Sequence, residues 1–288
     1  MDTTSRLHVP PDISLQVSAA LREDVGSGDA TASLVPEAEL VRGEVVTREE
    51  AILCGAPWVV EVFRQLDPRI ALTWLTEDGE RIRAGETVLR VEGPARPVLT
   101  GERTALNFLQ LLSGVATAAR RFVDAVAGTG CTVLDTRKTL PGLRTAQKYA
   151  VRCGCARNHR MGLHDMILVK ENHIAAAGSL SAAVAAARRL GGPLRVEVEV
   201  ESLSELEEAL TAGPDIVLLD DFGLADLRAA VTRVRESRAP IKLEASGSVT
   251  LETVRAIAET GVDYVSVGGL TKHVRAVDLS MRLEFSGR

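Results

Sequence analysis

From Cys131 onward the chain alternates short apolar, β-branched runs with helix-patterned stretches, and that alternation limits the folds open to it more than any other feature. The runs are Cys131 to Asp135, Met166 to Val169, Val196 to Val200, Ile216 to Leu219, Ile241 to Leu243 and Tyr264 to Val267. The later helical stretches between them are Leu180 to Leu190, Ser204 to Thr211, Leu224 to Val234 and Leu251 to Thr260. Nearly continuous hydrophobic strands separated by helices predict a parallel sheet covered on both faces. Six strands exceed one βαβ motif, and no G-x-G-x-x-G follows the first. A barrel short of eight strands is therefore favoured over a dinucleotide-binding sheet.

Before this region the pattern is mixed. A helix is expected from Leu15 to Val25, stopped by Gly26-Ser27-Gly28-Asp29. Strands are expected at Leu40 to Thr47, Ala51 to Leu53, Ile70 to Leu75 and Thr87 to Val91, with a helix from Pro57 to Gln65 among them. Two further helices, Leu99 to Leu112 and Val115 to Ala127, flank Ser113-Gly114, which reads as a domain junction. This predicts an N-terminal α+β domain over residues 1–114 and an α/β barrel domain over 115–270.

In such barrels the chemistry lies at the carboxyl ends of the strands. Here the strands end in Thr136, Arg137 and Lys138; in Lys170, Asn172 and His173; in Glu199 and Glu201; in Asp220 and Asp221; in Glu244, Ser246 and Gly247; and in Gly268 and Gly269. Arg137, Lys138, Arg160 and Lys170, with His159, would converge on one rim and suit a multiply anionic ligand. Any one of these cations alone reads equally well as a solvated loop residue; their recurrence at strand ends is what points to a site. Ser246-Gly247 and Gly268-Gly269 occupy the last two βα loops, the usual barrel position for a phosphate, although each glycine could also serve only to turn the chain. Glu197 and Glu199 share one strand face, so one can serve the barrel interior and the other the rim. Glu199 and Asp220 beside a phosphate call for Mg²⁺, unless the aspartates at that strand end are merely solvated.

Composition narrows the partners. A formal net charge of −5 on 288 residues argues against a general nucleic-acid binder and for small anions as ligands. No membrane-spanning apolar run or signal-type core is present, which makes the cytoplasm the expected compartment. Cys54, Cys131, Cys153 and Cys155 are too few for a disulfide framework, and Cys153-Gly154-Cys155 lacks the usual spacing of a zinc site.

Several blocks taken together resemble the quinolinate phosphoribosyltransferase family, also called nicotinate-nucleotide pyrophosphorylase (carboxylating). They are Gly101-Glu102-Arg103-Thr104-Ala105-Leu106-Asn107, Asp135-Thr136-Arg137-Lys138-Thr139-Leu140-Pro141-Gly142-Leu143-Arg144, Asn158-His159-Arg160, Lys170-Glu171-Asn172-His173, Val196-Glu197-Val198-Glu199 and Glu244-Ala245-Ser246-Gly247. The resemblance implies a type II phosphoribosyltransferase fold: an N-terminal α+β open sandwich, an incomplete parallel α/β barrel, and a C-terminal tail over 271–288 that returns to the first domain. It implies transfer of phosphoribose from phosphoribosyl pyrophosphate to quinolinate with loss of CO₂, aided by Mg²⁺, in a homodimer with shared active sites. Arg103, Arg137, His159, Arg160 and Lys170 would hold quinolinate. Lys138, Glu199 and Asp220 would be catalytic, the two acids also forming the Mg²⁺ shell, with Ser246, Gly247, Gly268 and Gly269 on the 5′-phosphate. The chain departs from the family pattern at Cys155 and Ala156, where glycines are usual, and at Ser248, where Gly or Asn is usual. A related pyrophosphorylase for another base, a non-catalytic anion-binding relative, or a barrel lyase forming a Schiff base on Lys138 or Lys170 are the competing expectations.

Overall fold

The structure is a computed structural model that describes residues 8–286. In chain order its first elements are α1 (Ile13–Val25), β1 (Leu40–Thr47), β2 (Ala51–Ile52), α2 (Ala56–Leu66), β3 (Ala71–Trp74), β4 (Arg81–Ile82), β5 (Thr87–Pro94) and α3 (Ala95–Ala125). There follow β6 (Thr132–Leu134), α4 (Arg144–Cys153), β7 (Ile167–Val169), α5 (Glu171–Ala177), α6 (Leu180–Gly191), β8 (Val196–Val200), α7 (Leu203–Ala212) and β9 (Ile216–Asp220). The last are α8 (Leu224–Ser237), β10 (Lys242–Ser246), α9 (Leu251–Ala258), β11 (Tyr264–Ser266), α10 (Gly269–Lys272) and β12 (Leu279–Phe285). The chain divides into two compact units. The first takes the residues up to Arg120, Leu140–Cys155 and those from His273 on; the second takes Arg121–Thr139 and Ala156–Lys272.

The first unit is built on a four-stranded antiparallel sheet in the order β12-β1-β5-β3. Its core is aromatic and aliphatic: Trp58, Val62 and Phe63 of α2 are buried, as are Val41 and Val45 of β1 and Leu106, Leu109 and Leu112 of α3. Full burial of side chains of this size stabilises by about 1.5–3 kcal/mol each. Helix α2 begins where the sequence predicts, with Pro57 in its first turn, and the Asp78 carboxylate accepts the N–H groups of Gly55 and Ala56 that the helix leaves unpaired. Burial pushes Asp78 up, opposed by those hydrogen bonds and by the Tyr149 hydroxyl that donates to it.

The expected break at Ser113-Gly114 is absent. Helix α3 runs unbroken for 31 residues through both positions, so the two expected helices are one. Ser113 is buried, accepting the Cys54 N–H and donating to the Cys54 carbonyl. A Cβ on Gly114 would sit 2.2 Å from the carbonyl oxygen of Arg275, so glycine is needed there for close approach of the chain that precedes β12. The next residues accordingly lock on, the Val277 N–H donating to the Gln110 carbonyl at 3.0 Å. A second glycine does the same from the other side: a Cβ on Gly154 would lie 2.4 Å from the Ala116 carbonyl oxygen. Strand β12, in the tail expected to return to the first domain, alternates apolar and polar residues and pairs with β1 along seven residues, from Val41 opposite Phe285 to Thr47 opposite Leu279.

The second unit holds six parallel strands in the order β6-β11-β10-β9-β8-β7. Consecutive strands are neighbours from β7 to β11, and β6 joins the far side of β11. The cyclic order is thus broken only between β6 and β7, which is the incomplete barrel expected. At that seam a single parallel bridge joins Leu134 to Arg157. It is held by the Arg157 N–H to the Val133 carbonyl at 2.9 Å and the Asp135 N–H to the Arg157 carbonyl at 3.1 Å.

Replacing Gly114 by Ala is expected to destabilise the protein by more than about 2 kcal/mol, since a backbone carbonyl cannot yield as a side chain can. Denaturant unfolding of the variant beside wild type measures this directly. Alanine is the better helix former by about 1 kcal/mol, so a loss of stability reports the lost approach of Arg275, whereas a gain would show that the chain before β12 shifts without strain.

Candidate active site

Each barrel strand delivers its last residues to one cavity of about 240 Å³. Lining it are Thr136, Arg137 and Lys138 beyond β6, His159 and Arg160 from the seam, Lys170 beyond β7, Glu199 on β8, Asp220 on β9, Glu244 and Ser246 on β10 and Ser266 on β11. The structure therefore brings together Arg137, Lys138, His159, Arg160, Lys170, Glu199 and Asp220, whereas Glu201 and Asp221, also expected at strand ends, do not line the cavity. Nor do Asn172 and His173: Asn172 donates to Glu171, and His173 Nδ1 accepts the Lys170 N–H, capping α5. Arg103 is exposed on α3, in the first unit.

The cation loops are fixed by local hydrogen bonds. The Thr136 hydroxyl accepts the Lys138 N–H at 3.0 Å, and Thr271 Oγ1 of α10 donates to the Lys138 carbonyl at 2.8 Å. The Lys138 side chain lies over Gly268, where an added Cβ would be 2.8 Å from its Cδ, so a side chain at Gly268 would displace the lysine. Gly269 opens α10. Gly247 has φ 96°, and any Cβ there would collide with Asp221, whose N–H donates to the Ser246 carbonyl. Ser248 (φ 45°) and Cys155 (φ 66°) also lie in the left-handed region, which disfavours residues with a Cβ. These are two of the three positions where the sequence departs from the glycine pattern of the family it resembles. Cys155 is exposed and accepts from the Arg120 guanidinium.

Asp135 organises the seam. Fully buried, it accepts the Asn158 side-chain amide at 2.6 Å and the His159 N–H at 2.9 Å, and so fixes the loop that carries His159 and Arg160. Sequence reasoning missed this role, because an acid at a strand end looks there like one more rim residue. Arg160 also donates to the Met166 carbonyl at 3.4 Å. Burial, then the neighbouring Arg137, push the Arg160 guanidinium down from its ordinary value, with Glu197 and Asp165 opposing. Two guanidinium groups near enough to repel favour an anionic ligand between them.

The acids on the shared face of β8 divide by depth, one in the interior and one at the rim, as expected. Glu199 stands at the rim, its side chain 10% exposed, and accepts from Lys170 Nζ at 2.5 Å. Glu197, two residues earlier, is completely buried, as is Glu244 on β10. His159 Nε2 lies 2.9 Å from Glu197 Oε2 and 3.6 Å from Glu244 Oε2. Burial, and then the Glu197 charge, raise Glu244 to about 8, His159 opposing. Glu199 and Asp220 offer hard carboxylate oxygens beside an open cavity, a donor set suited to Mg²⁺ with retained waters. The arrangement as a whole offers a cationic side suited to a multiply anionic ligand and an acidic side suited to hydroxyl groups or a hard cation.

Two family models match the chain: quinolinate phosphoribosyl transferase, N-terminal domain, over residues 29–113, and its C-terminal domain over residues 115–282. The nicotinate-nucleotide pyrophosphorylase (carboxylating) of Mycobacterium leprae is 43% identical over 274 residues, covering 93% of this chain and 95% of that protein. A probable nicotinate-nucleotide pyrophosphorylase (carboxylating) of Bacillus subtilis is 40% identical, covering 92% and 91%. Among solved structures, the nicotinate-nucleotide pyrophosphorylase of Francisella tularensis superposes with a TM-score of 0.93 at 45% identity, covering 98% of this chain and 100% of that one. The N-terminal sheet, the incomplete barrel and the charged cavity at its strand ends are therefore those of a member of the quinolinate phosphoribosyltransferase family, to which this chain belongs.

Proposed function

We propose that the chain transfers phosphoribose from phosphoribosyl pyrophosphate to quinolinate with loss of CO₂, forming nicotinate mononucleotide and pyrophosphate in NAD biosynthesis. The observation that carries this reading is the sorting of charge around one cavity, with Arg137, Lys138, Arg160 and Lys170 on its rim beside Glu199 and Asp220. Both substrates are polyanions, and quinolinate has two adjacent carboxylates that match two adjacent guanidinium groups. A Schiff-base lyase needs a neutral amine, whereas the Lys170 ammonium is held in an ion pair with Glu199.

In this reading Arg137, Arg160 and Lys170 hold the ring carboxylates and aim the pyridine nitrogen at the anomeric carbon. His159, expected in the same group, lines the cavity beside them with its ring nitrogens turned to the Arg160 backbone and to Glu197. Glu199 and Asp220 face the ribose, where positive charge develops as the bond to pyrophosphate breaks, and Lys138 meets the negative charge on the departing pyrophosphate. Ser246 with Gly247, and Gly268 with Gly269, hold the 5′-phosphate. Mg²⁺, bound by Glu199 and Asp220 directly or through water, would neutralise charge on the pyrophosphate. Once the ring nitrogen bears the sugar, the carboxylate next to it leaves as CO₂, its electron pair stays on the ring carbon stabilised by the adjacent positive nitrogen, and a proton from water completes the C–H bond of the product. No covalent enzyme intermediate is required.

The working form in this reading is a cytoplasmic homodimer in which Arg103 of one chain completes the quinolinate pocket of the other. No described helix is long and apolar enough to cross a membrane.

Arg160→Ala is expected to weaken quinolinate binding by about 2–5 kcal/mol, the cost of leaving a desolvated charge pair unmade, with phosphoribosyl pyrophosphate binding nearly unchanged; calorimetry that finds both ligands equally weakened would assign Arg160 to the fold. Glu199→Gln and Asp220→Asn keep shape and remove charge, so each is expected to lower turnover and shift its Mg²⁺ dependence; an unshifted Mg²⁺ titration in both would place the metal on pyrophosphate alone. For the shared site, Arg103→Ala and Lys138→Ala chains refolded together in equal amounts are expected to recover roughly a quarter of wild-type sites, because half the dimers are mixed and each mixed dimer has one intact site. Recovery no higher than the separate variants, with mixed dimers shown to form, would remove Arg103 from the partner's site.

A further inference from the structure

Two acids that the proposed chemistry does not use lie beneath the cation rim. Glu197 on β8 and Glu244 on β10 are both completely buried, and none of their four carboxylate oxygens has a hydrogen bond of good geometry among the described residues. Burial of carboxylates on these terms is costly, and apolar residues of similar volume would pack the barrel with less penalty. Their neighbour is the His159 imidazole, its side chain 8% exposed, with Nε2 2.9 Å from Glu197 and 3.6 Å from Glu244.

The other ring nitrogen is engaged as well. His159 Nδ1 accepts the backbone N–H of Arg160 at 2.8 Å. An acceptor nitrogen carries no proton, so the imidazole proton sits on Nε2, the nitrogen nearest the acids. In this conformation His159 has no N–H left for a ring carboxylate. What it does is join the buried acids to the backbone of Arg160.

We propose that Glu197 and Glu244 are positioning residues for the transferase reaction, acting through His159 to hold Arg160 where it meets the dicarboxylate ring. The inference rests on the reading of Arg160 as a quinolinate ligand. Asp135 holds the same loop from the other side, through the His159 N–H and the Asn158 amide, so the Asn158 to Arg160 segment is anchored at its backbone by one acid and at its imidazole by two more. The two acids crowd one another, and Glu244 retains a proton into the neutral range. The Glu197 carboxylate opposes the burial and the Arg137 repulsion that push the Arg160 guanidinium down.

The test compares Glu197→Gln, Glu197→Leu and Glu244→Gln with wild type by two independent measurements. The first is the tautomer of His159 by nitrogen-15 NMR. Wild type and Glu197→Gln, which keeps an acceptor oxygen, are expected to show the proton on Nε2, and Glu197→Leu is expected to lose that preference. The second is steady-state kinetics: Glu197→Leu is expected to raise KM for quinolinate roughly ten- to a hundredfold, the loss of one interaction at a buried charged group, with a smaller effect on kcat and KM for phosphoribosyl pyrophosphate within about twofold. Glu197→Gln is expected to recover most of the quinolinate KM, and Glu244→Gln to stay close to wild type in tautomer while altering quinolinate KM severalfold. An unchanged tautomer and quinolinate KM in a folded Glu197→Leu protein overturn the proposal. So does an equal rise in both KM values, which is the mark of a general structural role. Should wild type turn over no quinolinate, the functional reading fails by itself, and the imidazole contact is still judged by the tautomer.

Discussion

The site depends on the way the barrel is closed at its seam. Six strands cannot complete a barrel, and β6 and β7 are not paired with each other. One residue, Arg157, bridges to β6 instead. That short parallel contact sets the path of the next three residues, and Asp135, at the end of β6, captures them through two hydrogen bonds. The gap is thus where the loop carrying His159 and Arg160 enters. A closed barrel would have committed those backbone groups to a ladder and left no room for an imidazole and a guanidinium to reach inward.

Charge is balanced in layers around this entry. The rim carries cations on one side and Glu199 with Asp220 on the other, and the Lys170 to Glu199 ion pair spans the two. Below lie Glu197 and Glu244, where solvent does not reach. Neighbouring guanidinium groups would repel one another strongly in a low dielectric without a counter-charge. Rim and interior are therefore one electrostatic unit, and changing a buried acid alters the field that a substrate meets at the mouth.

Much of this was legible in the sequence, and the limits have physical causes. The barrel strands were readable because buried parallel strands are almost uniformly apolar and end abruptly in charge, as Met166 to Val169 ends in Lys170. Alternation along β8 put Glu197 and Glu199 on one face, and their order along the strand left one in the interior and the other at the rim. By contrast, Ser113-Gly114 reads as a break because glycine is a poor helix former; its purpose, to admit the Arg275 carbonyl against α3, depends on a residue remote in the chain. For the tail over 271–288 a return to the first domain was expected and the alternation from Leu279 to Phe285 was legible, but that it pairs with β1 depends on a run equally remote in the chain. The bridge at Arg157 is too short to leave any periodic pattern. His159 was expected among the quinolinate ligands, and only coordinates disclose that both its nitrogens face protein groups.

The pairing of β12 with β1 bears on the order in which the molecule can be made. Residues 279–285 follow every strand of the barrel, yet they supply the outer strand of a sheet whose other members lie before residue 95. During synthesis the second unit can finish its own strands while β1 still presents an unpaired edge. Open strand edges recruit other chains, so the nascent protein passes through an interval in which its first-made sheet is its most vulnerable surface. Release from that state comes with the last strand, and the rate at which β12 docks governs how long a crowded cell has to intercept it.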